Sequence, residues 1–374
     1  MKIRIAVFLS VLIFIFMLSS CAPEPPERSF DDLEVTGRLE LRYATQFNVD
    51  YLADGCSLIT INASDHFLLV PAGQEPPSHV AANVIILRQP LGNIYLAATS
   101  AMGLFDALDA LGHITMTGTK ADGWYIENAR TAMERGDMIY AGKYNTPDYE
   151  MLMAKGCGLA IESTMITHSP AVKEKLESLG IPVLVEHSSY EQHPLGRTEW
   201  IKLYGLLTGT EECAAALFDE QTAYVDSIIA GDTGKTVALF YISSSGGVVA
   251  RKSGDYAAKM IELAGGHYVF SDLGGSDSVT GSVKLEMERF YTEAKNADII
   301  IYNSSIDGEV HTMDELLAKS RLLADFKAVK NGDVWCTGKN FFQETTEFGL
   351  MIADMNRIFT GEATDDLNYY YKLR

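Results

Sequence analysis

The stretch that decides the fold runs from residue 196 to 230 and reads GRTEWIKLYGLLTGTEECAAALFDEQTAYVDSIIA. It holds no proline and, beyond Gly196, only two glycines, Gly205 and Gly209. Leu203, Leu206, Leu207, Ala214, Leu217, Phe218, Tyr224, Val225 and Ile228 recur at helical spacing. That rhythm puts apolar side chains on one face of a helix. The segment reads as one long helix, or as two with a break at Gly209. Gly231-Asp232-Thr233-Gly234 then closes it with turn chemistry.

On both sides of this segment, short apolar runs alternate with helical patterns. Upstream, Val84–Leu87, Ile94–Ala98, Asp137–Tyr140, Leu159–Ile161 and Val183–Val185 read as strands. Met102–Leu111, Asp148–Ala154 and Ala171–Leu179 read as helices, the last closed by Gly180. Downstream, Val237–Ile242, Ile299–Tyr302 and Gly332–Cys336 read as strands. Tyr256–Ala264, Met313–Ala318 and Glu344–Phe359 read as helices. Such alternation argues for mainly parallel sheets. The fold class is α/β: two doubly wound lobes joined by one long backbone helix. Lobes joined this way should move little against each other, because a continuous helix is a poor hinge. The chain begins differently. Leu39, Leu41 and Tyr43 alternate with polar residues, as do Phe47, Val49 and Tyr51. Ala63-Ser64-Asp65 separates two further apolar runs. This start reads as β-hairpins.

The ends bound the compartment. Lys2 and Arg4 precede an apolar run from Ile5 to Leu18, which ends in Leu18-Ser19-Ser20-Cys21. This is the pattern of a signal peptide over residues 1–20, cleaved before a cysteine that takes lipid. Two acyl chains on Cys21 would anchor the protein stably on the outer face of the membrane. Residues 21–34 are rich in proline and charge and form a tether. The N-terminal lobe is then expected over 35–195, the linking helix over 196–230 and the C-terminal lobe over 231–374.

The chain carries 30 basic and 50 acidic residues, a net charge of −20. Such a surface repels phosphate backbones and argues against nucleic acid as a partner. Cys56, Cys157, Cys213 and Cys336 lie far apart without a C-x-x-C pair. Buried free thiols are the expectation, with one or two disulfides as the alternative.

The organisation resembles the substrate-binding proteins of ABC importers for ferric siderophores, haem and cobalamin. In the first lobe the resemblance rests on the run from Gly142 to Glu150 and on Leu159–Ser163. At the junction it rests on the run from His193 to Lys202. In the second lobe it rests on Lys284–Tyr291, Ala297–Asn303 and the run from Phe326 to Trp335. The resemblance implies a ligand held between the lobes of a monomer. It implies a permease and its ATPase as partners, and no cofactor. It also implies one exposed glutamate per lobe that pairs with arginines of the permease. Glu150 and Glu288 match those positions, with Glu286 as the rival of Glu288.

In doubly wound sheets, ligands meet the loops after the strand C-termini. The candidate ligand residues there are Ser100, Met102, Trp124, Tyr144, Glu162 and Ser163 in the first lobe. Those in the second are Tyr241, Ser243, Ser244, Arg251, Trp335 and Phe341. Aromatic side chains with a few hydroxyls suit a large ligand with flat or apolar edges, and Arg251 suits an anionic chelate. A ferric siderophore-type chelate is the first reading, and cobalamin or haem the second. His168, His187 and His193 raise a free-metal alternative, but direct coordination needs three or four convergent ligands. A secreted hydrolase is the weaker reading, since neither G-x-S-x-G nor a phosphate loop occurs. A surface adhesion or sensor module on the same fold is a third.

Overall fold

The computed structural model describes residues 29–228, 231–274, 281–364 and 367–374. Cys21, the signal peptide and most of the tether lie outside the described residues.

The first unit is a five-stranded sheet in the order β1-β2-β3-β4-β5. Its strands are β1 (Val35–Arg38), β2 (Phe47–Leu52), β3 (Ser57–Ile61), β4 (Asp65–Val70) and β5 (Val84–Arg88). The hairpin reading holds for β2 to β4, which pair antiparallel. It fails at residues 39–43, which form an irregular loop between β1 and β2. The cause is a competing set of acceptors. The amides of Arg42, Tyr43 and Ala44 donate to the carboxylate of Glu199 at 2.7–3.0 Å. The amides of Thr45 and Gln46 donate to Glu191 at 2.9 Å. Both glutamates are fully buried. Successive amides that wrap a carboxylate cannot also enter a ladder.

The first lobe proper is a parallel sheet in the order β12-β11-β6-β7-β8. It contains β6 (Ile94–Leu96), β7 (Ile114–Thr117), β8 (Ile139–Tyr140), β11 (Leu159–Ser163) and β12 (Val183–Glu186), with a small hairpin of β9 (Gly142–Lys143) and β10 (Thr146–Pro147). Its helices are α1 (Met102–Ala107), α2 (Glu127–Arg135), α3 (Tyr149–Ala154) and α4 (Pro170–Ser178). Along β11, Leu159 and Ile161 face one apolar cluster and Ala160 faces another. Both faces of the sheet are therefore covered, as a doubly wound sheet requires.

The linking segment is three helices: α5 (Pro194–Glu199), α6 (Ile201–Thr208) and α7 (Glu211–Asp226). The break at Gly209 is present, with φ at +75° in the left-handed region that favours glycine. A second boundary falls at Trp200, which hydrogen-bonds Glu191 through its indole nitrogen at 3.0 Å. The connection between the lobes is thus a packed helical elbow that ends in the long helix α7.

The second lobe is a mixed seven-stranded sheet whose main path is β16-β14-β13-β17-β18-β19, with β15 also paired to β13. Its strands are β13 (Lys235–Ile242), β14 (Val248–Arg251), β15 (Gly266–Tyr268), β16 (Ser282–Leu285), β17 (Ile299–Tyr302), β18 (Val334–Thr337) and β19 (Tyr370–Lys372). The centre is parallel, and β14, β16 and β19 add antiparallel edges. Helices α8 (Tyr256–Leu263), α9 (Met287–Ala294), α10 (Met313–Lys319), α11 (Lys327–Asn331) and α12 (Phe348–Thr360) complete it. Among the described residues no helix is long and apolar enough to cross a membrane. Among the described residues the cysteines form no disulfide with one another; Cys56 and Cys336 are buried and Cys213 is exposed.

Candidate functional site

The two sheets meet at the ends where their strands finish. Ser100 and Tyr125 follow β6 and β7 in the first lobe, and Gln343 and Thr345 follow β18 in the second. Thr345 Oγ1 donates to the carbonyl of Ser100 at 2.9 Å. The amide of Tyr125 donates to Gln343 Oε1, and Gln343 Nε2 donates to the carbonyl of Gly123, each at 2.8 Å. From the linking segment, Thr198 Oγ1 donates to the carbonyl of Thr345 at 2.8 Å. These bonds, the last of them buried, make a seam that fixes the strand C-termini of one lobe against those of the other. Tyr125 and Phe342 face each other edge-on across it, with centroids 6.3 Å apart.

Large apolar side chains stay exposed around this edge. Tyr125, Met165, Tyr190, Ile306 and Phe342 all sit on segments that follow β7, β11, β12, β17 and β18, and each is more than a third exposed. Exposed apolar side chains gathered along one edge are the kind of surface a binding site offers.

Within the first lobe the same edge is hollow. A concavity of about 440 Å³ opens over the C-termini of β6, β7, β8 and β11. Ala97 and Gly118 are among the small residues of its lining, and Lys120, Tyr140, Lys143 and Tyr144 are the large ones, beside Ser163 and Met165. A Cβ on Gly118 would lie 3.1 Å from Ala97 Cα and 3.3 Å from the Tyr95 hydroxyl. The Lys120 ammonium lies 5.6 Å from the centroid of the Tyr140 ring.

Glu162 is the neighbour of Ser163 on β11 and is fully buried. Neither carboxyl oxygen has a hydrogen-bond partner. Burial pushes its pKa up to about 8, because desolvation penalises the charged form. The nearby phenols of Tyr95 and Tyr149 and the thiol of Cys157 are likewise pushed up, mainly by burial, so they stay protonated near neutrality.

The other sequence candidates are placed as follows. Tyr144 and Ser163 share the concavity. Ser100 donates through Oγ to buried Glu186 at 2.9 Å and belongs to the seam. Met102, Trp124 and Phe341 are core residues, almost wholly covered. Ser243 and Ser244 form the turn between β13 and β14. Ser243 Oγ donates to the Gly247 carbonyl, and the Ser244 amide donates to Asp307. Tyr241 is half-buried on β13, beside Asn303. Arg251 is engaged: it faces Asp255 at 3.7 Å and lies near the Tyr256 ring. Trp335 departs most from expectation. It lines a hollow of about 400 Å³ with Lys235, Asp298 and Lys327, at the start of the strands and away from the seam. A larger hollow of about 550 Å³ lies between the end of α7 and Gly265–Tyr268, also away from the seam.

The histidines are used locally. His193 Nδ1 accepts the Leu195 amide at the start of α5, and its ring stacks on Tyr43 at 4.3 Å. Burial, followed by the charge of Lys259, lowers its pKa to about 4. His187 stacks on Tyr190.

Sequence reasoning missed Lys120, Tyr140 and Lys143. Tyr140 ends β8, which the sequence showed as a strand over Asp137–Tyr140, and Lys143 lies just beyond it; Lys120 follows β7, which the sequence reading did not contain. Glu150 and Glu288 are both exposed, in the first turns of α3 and α9.

Two α/β sheets held end to end across a seam, with a hollow at that edge, define a two-lobed binding-protein fold. Residues 95–340 match the periplasmic binding protein family, and the chain belongs to it. It is similar to an uncharacterized lipoprotein of Methanocaldococcus jannaschii, 25% identical, with 84% of this chain and 79% of the relative covered. Among solved structures it is similar to the periplasmic heme binding protein HutB of Vibrio cholerae. The TM-score is 0.56 at 18% identity, covering 70% of this chain and 96% of that one. It is also similar to an ABC-type Fe3+-hydroxamate transport system protein of Saccharomonospora viridis. There the TM-score is 0.55 at 19% identity, covering 72% and 92%.

Proposed function

We propose that this chain is the extracytoplasmic solute-binding lipoprotein of an ABC importer, and that it captures a ferric siderophore-type chelate between its lobes. Cys21 carries the lipid, and a permease with its ATPase receives the solute. The observation that carries the reading is the hollow over β6, β7, β8 and β11, beside the seam and rimmed by exposed apolar side chains. Such an edge of a parallel sheet is where ligands meet an α/β protein. Tyr144 and Ser163 contact the solute from the first lobe, and Tyr241 is the candidate from the second.

Calorimetric titration of the purified protein tests this with a panel of ferric chelates, haemin and cyanocobalamin. The expected result is micromolar or tighter binding of at least one ferric chelate, without its turnover. Binding of cyanocobalamin or haemin alone would move the solute to the second reading and keep the importer role. Turnover of a panel member would point to an enzyme.

A further inference from the structure

A chain with a net charge of −20 has carboxylates almost everywhere, yet the lining of the first-lobe hollow contains none. It contains two lysines, Lys120 and Lys143, on either side of Tyr140 in sequence. Neither makes an ion pair among the described residues, although several exposed lysines elsewhere do. Buried Glu162, the neighbour of Ser163 in the lining, is mostly protonated below about pH 8. Hence the hollow is a local cationic site on an anionic protein.

We infer that the solute is anionic, and that Lys120 and Lys143 take its negatively charged chelating groups while its apolar faces lie against Tyr140, Tyr144 and Met165. This rests on the reading of the interlobe edge as the solute site, and it selects a class of solute within that reading.

Three observations converge on it. First, a solute covering the hollow removes water from both ammonium groups. A neutral or cationic solute would leave them desolvated without a counter-charge, which is costly, whereas an anion forms charge-assisted hydrogen bonds with them. Second, the small side chains of Ala97 and Gly118 leave room for a bulky group to approach the strand ends. Third, the second-lobe cation that the sequence offered, Arg251, already faces Asp255 at 3.7 Å. The second-lobe cation singled out for the solute is thus already paired, whereas Lys120 and Lys143 are not.

The test is isothermal titration with three probes of different charge: trianionic ferric tris-catecholate, monocationic ferrioxamine B and neutral cyanocobalamin. Wild type is expected to bind the trianion and to bind the other two at least tenfold more weakly. Lys120→Gln and Lys143→Gln should each weaken the trianion about tenfold, the scale of one charge-assisted hydrogen bond. Lys120→Arg and Lys143→Arg should keep most of the affinity. Both lysines are exposed, so thermal midpoints should barely move, and weakened binding will report contact with the probe. Equal or tighter binding of ferrioxamine B or cyanocobalamin overturns the inference but leaves the solute-binding reading standing. So does trianion binding that the Lys120→Gln/Lys143→Gln double variant leaves unchanged. Failure of all three probes to bind counts against the reading and the inference together.

Discussion

Glu162 is fully buried with both carboxyl oxygens unpartnered. A buried polar group without a partner costs about 1–3 kcal/mol, and an ionised one costs more. The protein limits that cost by keeping the proton, and so the pKa rises from 4.5 to about 8. The folded state then binds this proton more tightly than the unfolded state does. Between about pH 4.5 and 8 the folded chain holds a proton the unfolded chain has lost, so stability falls as pH rises through that window. Above it both states are ionised and the loss is complete. Glu162→Gln should abolish this contribution. The variant's thermal midpoint should exceed that of the wild type by a margin that widens from pH 5 to pH 8. Parallel curves for the two proteins over that range would mean that water or an ion already satisfies the carboxyl. The residue was visible in the sequence as a glutamate ending a strand. Its isolation was not, because that depends on which side chains arrive from β6, α3 and the loop before β11.

At the scale of elements, most strands and helices were legible because apolar runs and turn residues report them directly. The irregular join between β1 and β2 was not. Leu39, Leu41 and Tyr43 alternate as strand residues do, and only the acceptors about 150 positions away override them. Glu191 and Glu199 sit at the elbow of the linking helices and gather the amides of residues 42–46. Glu199 also receives the Lys202 ammonium at 2.8 Å, and Glu191 the Trp200 indole. One glutamate thus ties the N-terminal sheet to α6, and the other ties it to α5. Glu199→Ala strands three backbone donors in a covered site and leaves the Lys202 ammonium without its counter-charge, with only the Glu40 carbonyl to accept a hydrogen bond from it. The expected loss is about 3–5 kcal/mol, the range for removing one partner of a buried charge network. Urea unfolding should show a large drop in midpoint. A drop of less than about 1 kcal/mol would mean that water enters and replaces the carboxylate. The same logic explains the candidate site. Tyr144 and Ser163 were found because they follow recognisable strands. Lys120 was missed because β7, the strand it follows, was not read as one, and Tyr140 and Lys143 because only Tyr144 was taken from the end of the strand read over Asp137–Tyr140. Trp335 was misplaced because the strand signal gives its element and not which end of the strand it occupies.

At the scale of the whole molecule, topology fixes which way the lobes present their surfaces. α3 leads into β11 and α9 leads into β17. A helix that feeds a parallel strand must run back along the sheet, so its first turn lies at the edge where the strands end. Glu150 and Glu288 occupy those first turns, one per lobe, and both are exposed. They therefore stand at the edge where the seam and the hollow lie, yet neither belongs to the lining of the hollow. Under the proposed role they meet arginines of the permease, which a carboxylate pairs in a fixed bidentate geometry. Reversing their charge replaces attraction with like-charge contact, a change on the order of several kcal/mol. Glu150→Arg and Glu288→Arg should leave the affinity of the purified protein for its chelate within about twofold, since a change of that size is below 1 kcal/mol. Uptake of the same chelate, measured in cells whose own copy has been deleted, should fall sharply for each variant and further for both together. Weakened binding by a folded variant would place these glutamates against the solute. Normal uptake by the double variant would remove them from the docking surface and give Glu286, the N-cap position of α9, the next claim to that role.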